Sequence, residues 1–158
     1  MRLAAFLAVV VSVSLLVGCG ATGAKSHNTK DVKRAFANAG VPIRVIFDSD
    51  VALTAKQLEK HGVQVPVRAR NHVKAALLGG WSGPTSSRTA TVVLVFVLDS
   101  SKAVKEGFPA DLNSFPQLKN EHVFAYFRKL NVVVLALSYG RTADPKNAKR
   151  VRNAIAAL

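Results

Sequence analysis

Residues 3–17 are apolar apart from Ser12 and Ser14, and only beyond that run does the chain show the periodicities of a folded domain. Val32, Ala35, Phe36 and Ala39 recur at i, i+3, i+4 and i+7, which predicts a helix capped by Asn28 or Thr29 and closed by Gly40 and Pro42. Lys30, Lys33 and Arg34 fall on its water side. Residues 43–47 read as a strand, and Asp48-Ser49-Asp50 is expected to start a second helix through Leu53 and Leu58 to Gly62. Val63, Val65 and Val67 alternate with Gln64, Pro66 and Arg68, a half-buried strand pattern that Pro66 confines to a sheet edge.

The second half is more apolar. A short helical turn is expected at 73–78, followed by a loop over 79–87 that is rich in Gly and Ser and contains Trp81, the chain's one tryptophan. Residues 91–98 are continuously apolar and β-branched, as a central strand buried on both faces requires. Asp99-Ser100-Ser101 caps a short helix ending at Gly107, and 108–120 has no period and two prolines, so it reads as loop. Strands at 123–127 and 132–138, joined by Arg128-Lys129-Leu130-Asn131, form an antiparallel hairpin. Asp144 and Pro145 open a last helix with Ala148, Val151, Ile155 and Leu158 on one side and Lys146, Lys149, Arg150 and Asn153 on the other. The expected fold is α+β, one domain over 29–158: a two-layer sandwich of a mainly antiparallel sheet of four or five strands with helices on one face.

The N-terminal run changes the picture. Arg2 precedes it, its length is short of the roughly 20 apolar residues of a spanning helix, and no basic stop-transfer cluster follows. That is a signal-peptide pattern, expected to occupy 1–18. Its end, Leu16-Val17-Gly18-Cys19, resembles a bacterial lipoprotein lipobox in all four positions. The resemblance implies cleavage between Gly18 and Cys19, a diacylglyceryl group on the Cys19 sulfur, and a new amino terminus open to acylation. It implies no other cofactor and places the protein on the outer face of the cell membrane. The alternatives are an ordinary secretory signal with a chance Gly-Cys, or a short membrane anchor. Gly18, Gly20 and Gly23 also spell a dinucleotide fingerprint, but the strand before it and the helix after it are missing. Residues 19–28 are small and polar and form a tether whose typical reach is under about 20 Å. The Val-rich strand ending in Asp99-Ser100 and the later Asn131-Val132-Val133-Val134 resemble small lipoprotein domains of uncharacterised function, a resemblance that implies no activity.

With Cys19 lipidated, no disulfide is available and an apolar core must supply the stability. The formal net charge is +13, and removal of Arg2 leaves 21 basic against 9 acidic side chains. Such a field favours anionic lipid headgroups, acidic wall polymers or an acidic envelope protein; export disfavours nucleic acid. Arg68, Arg70, Lys74, Arg128, Lys129, Arg141, Lys149 and Arg150 are the candidate anion-binding residues.

Catalytic motifs are absent from the sequence. Gly80-Trp81-Ser82-Gly83-Pro84 misses the last glycine of a serine elbow. His27, His61, His72 and His122 lack zinc-protease spacing, and Asp48 and Asp50 lack the partners of a calcium loop. Two readings of different class remain. A lipid-anchored binding or accessory domain predicts a scattered basic surface; a small envelope hydrolase predicts a concave pocket where Asp48 or Asp99 meets a histidine.

Overall fold

A computed structural model describes residues 26–82, 90–110, 122–139 and 143–158. The apolar N-terminal run, Cys19, Arg141 and most of the expected tether lie outside the described residues.

Helix α1 (Thr29–Asn38) is capped by Asn28, whose side chain accepts from the Asp31 amide. After β1 (Ile43–Asp48) comes α2 (Ala55–Lys60). Its start is the capping box Thr54–Gln57 rather than Asp48-Ser49-Asp50, because Asp48 is still β1 and accepts a hydrogen bond from Thr29 Oγ1 at 2.7 Å. Then follow a 3₁₀ turn (Val67–Ala69), β2 (Val73–Trp81), β3 (Ala90–Leu98), α3 (Ser101–Gly107), the hairpin β4 (His122–Lys129) and β5 (Val132–Tyr139), and α4 (Pro145–Ala156) capped by Asp144.

The five strands form one sheet in the order β1-β2-β3-β5-β4, antiparallel throughout. The fold is α+β with the expected antiparallel sheet. The helices, however, occupy both faces. Val32 and Phe36 of α1 and Val151 and Ala154 of α4 pack on Ala75, Leu77, Val93, Val95, Val132 and Val134. Leu58 of α2, Ala69, and Ala103 and Val104 of α3 pack on Val73, Ala76, Phe96, Leu98 and Val133 of the other face. The cause lies in β3, which is apolar at every position from Val92 to Leu98 and so requires cover on each side. Each fully buried Val, Leu or Phe contributes about 1.5 to 3 kcal/mol.

Two expected elements differ. Residues 63–66 are not a strand but an extended connection into the 3₁₀ turn, and Val63 and Val65 are buried against the second face without strand partners. The expected helical turn at 73–78 and the first residues of the expected loop are β2. Lys74-Ala75-Ala76-Leu77-Leu78 has high helix propensity, but pairing with β1 and β3 on both sides overrides it. Gly79 and Gly80 belong to this strand because backbones cross there: a Cβ on Gly79 would lie 2.3 Å from the Pro42 carbonyl oxygen, and one on Gly80, at φ +134°, 1.9 Å from that of Thr91.

Register defines the two ends of the sheet. Asp48, Val73, Leu98 and the β4–β5 turn lie at one end; Ile43, Trp81, Ala90 and Tyr139 lie at the other.

Candidate functional site

At the first end, the β4–β5 connection is a two-residue turn, Leu130-Asn131, with Leu130 at φ 52°. Asn131 is only 4% exposed and holds the entering chain by its backbone. Its Oδ1 accepts from the His27 amide at 2.8 Å, while Nδ2 donates to the His27 carbonyl at 2.8 Å and to the Leu98 carbonyl at 3.1 Å. Eight residue steps separate His27 from Cys19, a length that bridges under about 30 Å at full extension.

The same end brings together His72 and Asp99, which are 27 positions apart. The pairing of Val73 with Leu98 puts the preceding and following residues side by side, and the Asp99 amide donates to the His72 carbonyl at 2.9 Å. His72 Nδ1 lies 2.8 Å from Asp99 Oδ2. With the Nδ1 proton given to that carboxylate, Nε2 is left as an acceptor able to take a proton. Ser100 Oγ donates to Asp99 Oδ1 at 2.9 Å and accepts from the Ala103 amide at 3.2 Å, so the hydroxyl serves the carboxylate and the α3 cap rather than the imidazole. The two side chains are 45% and 36% exposed. Neither the 510 Å³ groove nor the 210 Å³ cleft among the described residues is lined by them. The hydrolase reading asked for an Asp–His contact in a pocket; the contact exists, between two partly exposed side chains. Among the described residues no group of three or more His, Cys, Asp or Glu is placed to hold a metal ion.

The 510 Å³ groove lies at the other end, between the start of β1 and the facing ends of β2 and β3, with Ile43, Arg44, Leu78, Trp81 and Val92 among its walls. Trp81 packs against the first core face, and the Arg150 guanidinium carbon stands 5.9 Å from its ring centroid, a cation–π distance. The indole thus closes one end of the core under α4. Thr91 is 2% exposed and its Oγ1 has no hydrogen-bond partner.

The seven basic candidates among the described residues do not form one patch. Arg68 is exposed on the 3₁₀ turn, Arg70 reaches the Val65 carbonyl at a long 3.5 Å, and Lys74 is half-buried at the β2 bulge. Arg128 donates to the Phe108 carbonyl beside Tyr126, whose hydroxyl donates to the Pro109 carbonyl at 2.7 Å, so Arg128 pins the segment after α3. Lys129 is exposed next to the turn, Lys149 is exposed on α4, and Arg150 is engaged by Trp81. Burial pushes the Tyr126 phenol up to about 12, against the opposing pull of the Arg128 charge.

A more even basic surface covers the α1/α4 layer. The two helices pack against each other and expose Lys30, Lys33, Arg34, Lys146, Lys149 and Arg152. The periodicity of each helix placed most of these residues in water; that the two stripes are neighbours is visible only in the packing. No helix among the described residues is long and apolar enough to cross a membrane. No protein-family model, curated protein or solved structure matches this chain.

Proposed function

We propose that this chain is a lipid-anchored binding or accessory domain of the bacterial envelope, held at the outer face of the cell membrane and presenting a basic surface to anionic lipid, acidic wall polymer or an acidic protein. The observation that carries this reading is Leu16-Val17-Gly18-Cys19 at the end of an apolar run. The dock of His27 on Asn131 supports it, because it leaves a short link between a lipidated Cys19 and a fixed point on the sheet. A diacylglyceryl group supplies the two chains that stable anchoring needs. Expression in a bacterial host with lipoprotein processing tests the reading. The wild type is expected to begin at Cys19 with the mass of a diacylglyceryl group, and Cys19→Ala is expected to lack that mass. A wild-type chain without the lipid mass overturns the anchor.

One observation favours a second reading, a small envelope hydrolase: the 2.8 Å contact between His72 and Asp99, with Nε2 as the base. It predicts hydrolysis of ester or phosphoester substrates by the purified protein, lost in His72→Ala. Equal rates in wild type and variant remove it.

A further inference from the structure

Resting on the anchored reading, we infer that the outer face of α1 and α4 lies on anionic phospholipid headgroups of the membrane that holds Cys19. Position is the first argument. His27 is clasped at the turn by Asn131, and α1 begins two residues later at Thr29, so the helix layer starts where the anchor arrives. The eight steps from Cys19 keep that point under about 30 Å from the lipid, and α1, with 10 residues, extends about 15 Å further along the face. The packed partner α4 places a second stripe beside the first.

Charge is the second argument. Lys30, Lys33, Arg34, Lys146, Lys149 and Arg152 are all exposed on this layer. Its two acids are engaged: Asp31 Oδ1 holds Arg34 at 3.0 Å, and Asp144 Oδ1 caps α4. The opposite layer has a smaller excess among the described residues: Lys56, Lys60, Arg68, Lys102 and Lys105 are exposed there against the exposed Asp50, Glu59, Asp99 and Glu106, with Lys102 paired to Glu106 at 3.8 Å. A basic residue held near an anionic leaflet raises partitioning by about fivefold, and the effect fades within about a Debye length. An anchored domain therefore settles on the face with the larger excess of cations. Exposed positions between those cations are short (Ala37, Asn153), so the surface suits headgroup contact rather than insertion into the acyl layer.

The test uses the full chain processed in its host. Because the one native thiol is consumed by the lipid, a single added cysteine accepts a dye selectively. Ala37→Cys on α1, Asn153→Cys on α4 and Lys105→Cys on α3 are each labelled and incorporated into phosphatidylcholine vesicles, with and without phosphatidylglycerol, that carry a headgroup-linked acceptor dye. Energy transfer is expected to rise with phosphatidylglycerol at Ala37→Cys and Asn153→Cys and to stay level or fall at Lys105→Cys. High salt is expected to cancel the rise, as is a background of Lys33→Glu, Lys149→Glu and Arg152→Glu whose circular dichroism melt matches the parent. No rise at the two helix positions, an equal rise at Lys105→Cys, or a rise that survives charge reversal overturns the inference. Release of the helix face by soluble polyglycerol phosphate at matched charge also overturns it, assigning the face to a wall polymer. Intact mass separates this result from failure of the anchor. If the lipid is absent, flotation of the same chain decides: flotation with phosphatidylglycerol vesicles that the charge-reversed chain lacks sustains the face assignment, and no flotation overturns it.

Discussion

Asn131 commits its side-chain amide to three backbone groups, two on His27 and one on Leu98. A net hydrogen bond contributes about 1 kcal/mol, and a stranded buried group costs more. Asn131→Ala is expected to lower stability by about 2 to 4 kcal/mol in chemical denaturation and to quicken proteolysis ahead of α1. Thr91 shows the reverse logic. Its buried hydroxyl has no partner, so Thr91→Val is expected to raise the denaturation midpoint, by about 1 kcal/mol in stability. Tyr126 sets an alkaline limit. Its phenol is raised from 10.0 to about 12 in the fold. Below pH 10 folded and unfolded chains both keep that proton; between 10 and about 12 the unfolded chain loses it first, so stability falls as pH rises through the window. Absorbance at the phenolate band is expected to show a component near 12 that Tyr126→Phe removes.

At the scale of elements, β2 is where local preference and final structure part. Its Ala-Ala-Leu-Leu core favours helix, and its Gly79-Gly80 favours loop, yet all are strand because β1 and β3 flank them. Gly80 is the residue on which this depends: a Cβ there meets the Thr91 carbonyl at 1.9 Å. Gly80→Ala is expected to cost more than about 3 kcal/mol or to prevent folding, read as loss of the cooperative melt, whereas Gly62→Ala, with open space around it but at φ +67°, is expected to cost only the left-handed backbone strain of about 1 to 2 kcal/mol. The elements that were legible have local causes. Asn28, Ser100 and Asp144 each cap the helix expected of them, and the strands at 123–127 and 132–138 pair as the expected antiparallel hairpin. The misread ones, α2's start and the 63–67 segment, depend on partners distant in sequence. Asp48 remains in β1 because it pairs with Ala75 of β2, with Thr29 donating to its carboxylate, and Val63 and Val65 are buried against the second face.

In the whole molecule, two cores share one sheet, and a mutation in each probes their independence. Phe36 packs on one face and Phe96 on the other. Phe36→Ala and Phe96→Ala are each expected to cost about 3 to 5 kcal/mol, and the pair is expected to be additive within about half a kcal/mol; a larger coupling would mean that the sheet transmits strain between its faces. The basic surface also belongs to this scale. Arg68, Arg128, Lys149 and Arg150 read alike in the sequence, but the fold sends one to solvent, one to a carbonyl, one to an open helix face and one to an indole. The sequence by itself determined the α+β class, the caps of α1, α3 and α4, the central strand and the lipobox pattern, because each rests on residues within a turn or a strand of one another. Tertiary structure alone decided that helices cover both faces, that Asn131 holds the backbone of His27, that His72 meets Asp99, and that α1 and α4 join their charges. Each of these depends on which distant segments the register and the burial of a two-sided apolar strand bring together.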